Sequence, residues 1–229
     1  NEGKYIGRTI RQYYPYLEEY GLEIIISDAN STDDTIEVVE NIRRTWQTDR
    51  VRYVQRPGPQ NIAIGRNAGA AVASGSLLFH TDADVFLPNA RGFFDAALRA
   101  FQRPEVVAAT TPIWVYPEER GWKDRLYHLL MNALIRLSFT LGVYLAKGEC
   151  QLVRRSVFER IEGYNEKIIA GEDCNLFYRL HKEGKIAYLY RQSVHHSPRR
   201  FRKYGYIGLT MVYLREGLSL LFRGNPSRK

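Results

Sequence analysis

Short runs of β-branched and apolar residues alternate with longer stretches of helical periodicity through the first half of the chain. Residues 22–26, 51–54, 77–81 and 106–110 are compact apolar runs of the kind that fill a parallel sheet covered on both faces. Between them, 4–17, 35–46, 61–73 and 89–102 carry helical patterns, the first with Tyr5, Ile6, Ile10, Tyr13 and Tyr14 on its apolar side. The changeovers are marked by Asn30-Ser31-Thr32-Asp33-Asp34 before the second helix, Pro57-Gly58-Pro59 before the third and Gly75 after it. Strand and helix in alternation predict an α/β fold with a mostly parallel central sheet flanked by helices.

The second half changes character. Residues 114–121 read as a Pro- and aromatic-rich loop, 122–141 as a helix, 151–153 as a strand, 156–161 as a short helix, 171–182 as a helix opened by Gly171-Glu172-Asp173, and 185–190 as a late strand. The apolar stretch 126–146 contains His128, Asn132 and Arg136, which argues against a membrane span and for an amphipathic or partly buried helix. The segment 206–222 is apolar around Arg215 and Glu216, a pattern that suits a helix lying on a bilayer or docked on the core.

Charge sharpens this picture more than overall composition does. The net charge of +8 is concentrated late, in Arg199, Arg200, Arg202, Lys203, Arg215, Arg223, Arg228 and Lys229, and suits a phosphorylated substrate, anionic lipid or nucleic acid. Cys150 and Cys174 are too few for a disulfide framework and have no zinc-site spacing, in keeping with a reducing compartment.

The candidate chemistry lies at strand ends. Asp82-Ala83-Asp84 follows the run Leu77-Leu78-Phe79, so two carboxylates one residue apart project from the sheet edge. Such a pair is stabilised by a hard divalent ion, Mg²⁺ or Mn²⁺, itself held to a diphosphate. Asp28 ends another strand, and ligands of parallel α/β sheets bind beyond those carboxyl ends.

Five segments in order, Asn1-Glu2-Gly3-Lys4-Tyr5-Ile6, Asp28 to Thr35, Gly65-Arg66-Asn67-Ala68-Gly69, Asp82-Ala83-Asp84 and Gly171-Glu172-Asp173, make the chain resemble a family 2 glycosyltransferase of the GT-A fold. The resemblance implies inverting transfer of a sugar from a nucleotide-diphosphate sugar, UDP-sugar favoured, to an acceptor hydroxyl. It implies that Asp28 accepts a hydrogen bond from the nucleobase, that Arg66 contacts the diphosphate, that Asp84 is the main metal ligand and that Asp82 reaches the metal or the ribose. Asp173 resembles the general base, held ionised by the helix N-terminus, with Glu172 orienting the acceptor. His196, in preference to His195, is the expected further metal ligand, and Arg199 and Arg200 are expected to close over the diphosphate. One catalytic domain is expected over 1–200, with a donor-binding half at 1–112 and an acceptor half at 113–200, followed by a basic, amphipathic helical tail at 201–229.

The expected partners are the nucleotide-sugar donor, a saccharide or lipid-linked acceptor and an anionic membrane surface contacted peripherally, with no nucleic acid, and the expected location is cytoplasmic, at the cytoplasmic face of a membrane. Two departures qualify the resemblance. The family's opening strand has no counterpart before Asn1, so an N-terminally truncated domain is expected, lacking a central sheet member and part of the nucleotide-pocket wall. The Gln-x-x-Arg-Trp element of processive members is absent, which argues against a polymerising synthase. Two other readings stay open: a nucleotidyltransferase on a related sheet, and a non-catalytic basic module binding membrane or nucleic acid.

Overall fold

The structure, a computed structural model, describes residues 1–206 and 208–211. The alternating half forms α1 (Gly3–Arg11), β1 (Ile24–Asp28), α2 (Thr35–Trp46), β2 (Val51–Gln55), α3 (Ile62–Val72), β3 (Leu77–His80), α4 (Ala90–Phe101) and β4 (Val106–Thr110). The second half supplies β5 (Ile113–Val115), α5 (Trp122–Thr140), β6 (Gln151–Arg154), α6 (Arg155–Arg160), α7 (Glu172–Leu180), β7 (Lys185–Tyr188), β8 (Val194–His196) and α8 (Arg199–Tyr204). The first helix stops at Arg11 instead of running to residue 17, and a separate 3-10 turn at Tyr14–Tyr16 carries Pro15, which lacks the N–H a continuing helix needs. The tail expected over 201–229 lies mostly outside the described residues.

Strands pair in three groups. β1 and β2 form a parallel pair, β3-β6-β4-β7 form a four-stranded sheet, and β5 and β8 form a second parallel pair. Within the four-stranded sheet β6 runs antiparallel to both β3 and β4, whereas β4 and β7 are parallel. Strands of the two halves therefore interleave in one sheet. The antiparallel insertion of β6 and the short β5 and β8 are additions to the expected pattern. β5 falls where the aromatic loop was expected to begin.

The main core packs α4 against this sheet, with Phe93, Phe94, Ala97 and Phe101 meeting Val106, Ala109 and Leu152. A second cluster joins α6 and α7 to the other face through Val157, Phe158, Leu176, Phe177 and Leu180. A third, smaller cluster of Ile6, Ile10, Val39, Ile42 and Val51 joins α1 and α2 to the β1–β2 pair. No ladder hydrogen bonds join β1–β2 to β3 among the described residues; Glu23 ties them instead by accepting from the Ser74 and Gly75 amides, at 2.5 and 2.8 Å.

Candidate active site

The turn after β3 is held from three sides. The Thr9 hydroxyl donates to the Ala83 carbonyl at 2.6 Å, and Gln12 both donates to the Val85 carbonyl (2.8 Å) and accepts from the Leu87 amide (2.7 Å). Tyr116 donates its hydroxyl to the Asp84 carbonyl. Phe86 and His195 exchange both backbone hydrogen bonds, at 2.7 and 2.8 Å, which fixes β8 against this turn. As a result Asp82, Asp84, Glu149, His196, Ser197, Arg200 and Phe201 line one recess. The sheet edge, the loop before β6 and the start of α8 each contribute to it.

Arg66 is the hub beside that recess. On α3, its guanidinium donates to Asp82 Oδ1 at 2.9 Å, to Glu172 Oε1 at 3.4 Å and to the Gly148 carbonyl at 3.0 Å, and lies over the Tyr164 ring. Arg66 thus meets carboxylates and a carbonyl of its own chain and draws the triplet after β3 to the acidic pair opening α7. Gly148 permits this approach, because a Cβ there would fall 2.5 Å from Arg66 Nη2. The neighbouring Asn67 donates to the Tyr164 carbonyl (2.9 Å) and accepts from its amide (2.8 Å), so one motif on α3 sets both the guanidinium and the loop before α7. Gly171 enters α7 at φ +82°, a conformation that favours glycine and turns Glu172 and Asp173 inward.

The electrostatics follow from burial. Burial pushes the Asp84 carboxyl up to about 7; Arg199, with Nε 3.3 Å from Asp84 Oδ2, opposes this, and Asp82, Glu2 and Glu149 add to it. Glu172 is likewise pushed to about 7, by burial first and then by Asp173. Asp173 is also raised by burial, against the pull of Arg66. This corrects the sequence-based expectation that the helix N-terminus would lower the Asp173 pKa: removal from water outweighs the helix dipole. Asp28 behaves differently. Burial raises it, but hydrogen bonds from Ser31 and Tyr53 outweigh that and hold it below the usual carboxylate range.

His196 sits in the recess with Nδ1 3.5 Å from Glu149 Oε1, while its buried Nε2 has no hydrogen-bond partner. Burial, helped by Lys147, lowers its pKa to about 3, so the imidazole is neutral, the form that ligates metal. His195 is directed elsewhere, toward Ser193 at 3.5 Å. Among the described residues no group of three or more His, Cys, Asp or Glu side chains is placed to hold a metal ion by itself. Two carboxylates and an orphaned imidazole nitrogen around one recess still fit a divalent ion that takes its remaining oxygens from a diphosphate. Arg199 spans Asp84 and Glu2, Arg200 lines the recess, and Asp28 lies apart from it at the end of β1.

Lys147 escaped the sequence reading. It is buried, its ammonium lies 5.8 and 5.9 Å from the Tyr127 and Phe201 ring centres, and the charges of Glu149 and Asp173 hold it up against a burial that lowers its pKa. A lysine in a loop carries no periodic signal.

Comparison with known proteins bears on the family and the fold. The sequence model of "Glycosyl transferase family 2" matches residues 1–162. The succinoglycan biosynthesis protein ExoA of Rhizobium meliloti is 26% identical over 187 residues, covering 80% of this chain and 56% of that protein. The hyaluronan synthase of Pasteurella multocida is 26% identical over 197 residues, covering 80% of this chain and 18% of that protein. The chain thus spans about half or less of the length of these relatives. Among solved structures, a mannosyltransferase from Pyrobaculum calidifontis, in complex with GDP-Man and Mn²⁺, superposes with a TM-score of 0.69 at 18% identity, over 94% of this chain and 61% of that one. Glucosyl-3-phosphoglycerate synthase from Mycobacterium tuberculosis, in complex with Mn²⁺, UDP and its product, gives 0.62 at 16% identity, over 99% and 78%. The shared fold is GT-A.

Proposed function

The chain belongs to glycosyl transferase family 2, and from that premise we propose that it moves a sugar from a nucleotide-diphosphate donor, UDP-sugar favoured, to an acceptor hydroxyl with inversion. The observation that carries this reading is the single guanidinium of Arg66 joining Asp82, at the edge of the recess, to Glu172, beside Asp173. Donor-side and acceptor-side carboxylates thereby surround one place.

In this reading Asp28 accepts the N3–H of the base, kept ionised by Ser31 and Tyr53. Arg199 and Arg200 offer cations to the diphosphate from the start of α8. Asp84, Asp82 and His196 would hold Mn²⁺ or Mg²⁺, which when bound would supply positive charge to offset the negative charge growing on the departing diphosphate. Asp173 takes the acceptor proton onto a carboxylate oxygen while the acceptor oxygen bonds to the anomeric carbon and the bond to the diphosphate breaks on the opposite face. Its raised pKa makes it a stronger base than a solvated aspartate. Glu172, braced by Arg66, orients the acceptor.

The test is transfer to acceptor, or donor hydrolysis, by the full natural chain and its Asp84→Ala and Asp173→Asn variants. Each substitution is expected to lower kcat by about 10²–10⁴, with nucleoside diphosphate rather than pyrophosphate released. Full activity in both variants, or pyrophosphate as the product, overturns the reading.

A further inference from the structure

α5 is built inside out. A surface helix in water turns its apolar stripe to the core and its polar side outward. Along α5 the fully buried positions are Asp124, His128, Asn132, Ile135 and Ser138, of which only Ile135 is apolar, with half-buried Tyr127, Met131 and Phe139 beside them. The outward side carries Trp122, Leu126, Leu129, Leu130, Leu134, Leu137 and Leu141 just beyond the helix end, between 42% and 70% exposed. Two of the inward polar groups are engaged by the fold: Asn132 pairs with both backbone groups of Ile113, and Asp124 accepts from Arg202 and Tyr206. Among the described residues the outward leucines are left exposed. A continuous stripe five turns long is far from the scattered single apolar residues of an ordinary surface.

The charges say what covers it. Every exposed charged residue on α5 is basic: Lys123, Arg125 and Arg136. The only acidic residue on the helix, Asp124, is buried and engaged. Exposed Arg202 and Lys203 of α8 continue the basic border. Tryptophan and leucine on one side, flanked by lysine and arginine with no exposed carboxylate on the helix itself, though Glu118 and Glu119 lie just before it, is the composition of a helix lying in the interface of an anionic bilayer. Among the described residues no helix is long and apolar enough to cross a membrane, so contact here means lying on the surface.

We propose that the outer face of α5 docks on an anionic lipid surface, its leucines entering the headgroup boundary and its cations meeting lipid phosphates. The face was expected instead in the chain's last residues; α5 is a separate element with its own apolar stripe. Its inner side carries His128, whose ring packs edge-on against His196 at 5.3 Å between centres, so docking would hold the recess one helix thickness from the lipid. That placement suits a lipid-linked acceptor and in this respect rests on the proposed transfer, whereas the docking itself does not.

The experiment is co-sedimentation of the 229-residue chain, without donor or acceptor, with phosphatidylcholine vesicles containing or lacking phosphatidylglycerol, at low and high salt. Three proteins are compared with the native one: L129E/L130E/L137E, R125E/R136E, and the control L98E, whose leucine is exposed on α4. Circular dichroism checks folding, and sedimentation velocity gives the oligomeric state. The native chain and L98E are expected to bind anionic vesicles more tightly than neutral ones, and the triple variant to bind about tenfold more weakly or worse. R125E/R136E is expected to lose the preference for anionic lipid, and so reports on docking even where the triple variant misfolds. Unchanged binding by the folded triple variant, equal binding to neutral vesicles, or no binding by the native chain overturns the proposal. So does a native dimer that the triple variant turns into a monomer, which would assign the face to a second copy. None of these results depends on glycosyl transfer.

Discussion

The two acids that open α7 show how far local sequence rules reach at a single residue. A carboxylate in a first helical turn is normally stabilised as an anion, but here burial reverses the sign for both, helped by Asp173 at Glu172 and by Glu149 at Asp173. A carboxyl whose pKa is higher folded than unfolded binds more protons in the native state. Its favourable contribution is complete below the unfolded value near 4 and is lost as pH rises through the folded value. Taken alone, Glu172 is therefore expected to remove roughly 1–3 kcal/mol of stability between pH 5 and pH 8, opposed over that interval by histidines such as His196 that are buried neutral, so urea unfolding is read as the difference between the native protein and Glu172→Gln. Transfer, which needs Asp173 ionised, should rise with pH. A native profile as flat as that of Glu172→Gln rejects the assignment. The sequence offered the identities of these acids through motif order, but not their ionisation, because desolvation is set by Arg66, Tyr164 and a loop distant in sequence. Gly148 was legible only as part of a segment. Its requirement comes from the guanidinium packed on it, and Gly148→Ala is expected to cost about 1–3 kcal/mol of stability together with activity, seen in a lower urea midpoint and lower kcat.

At the scale of elements, periodicity found the long helices and the buried strands, because those signals are local. It did not find that β6 inserts antiparallel between β3 and β4, since pairing partners and direction depend on contacts far apart in sequence. It also passed over β5 and β8, three residues each, too short to show alternation. Yet β8 carries His196 and is fastened to the turn bearing the aspartates, so a missed element positions the histidine expected to reach the metal. The device that seats β5 is Asn132, which accepts from the Ile113 amide at 3.0 Å and donates to its carbonyl at 2.9 Å. Asn132→Leu leaves two buried backbone groups unpaired. We expect a loss of about 2–4 kcal/mol in chemical denaturation; a change below about 0.5 kcal/mol would show that β5 is held by packing alone.

Across the whole molecule, the proposed ligand bridges two parts that the backbone joins loosely. Asp28 ends a strand of the β1–β2 pair, whereas Asp82 and Asp84 follow β3 at the edge of the four-stranded sheet. No ladder connects the two sheets among the described residues. The β1–β2 unit is held by a five-residue cluster, by α1 and by the hydrogen bonds of Glu23, while β4 and β6 lie inside the larger cores. Regions with fewer buried apolar contacts open at lower free energy. In amide hydrogen exchange, residues 24–28 and 51–55 are therefore expected to exchange faster than 106–109 and 151–153 in the free protein. A nucleoside diphosphate with Mn²⁺ that reaches from Asp28 to the recess binds only when both parts are in place, so it stabilises the looser one by mass action. The expected result is slowed exchange concentrated in 24–28 and 51–55, and Asp84→Ala should remove it even though Asp84 lies on the other sheet. Equal protection of the two sheets in the free protein would refute the difference in stability. Slowing confined to the residues around Asp82 and Asp84 would refute a ligand that spans both.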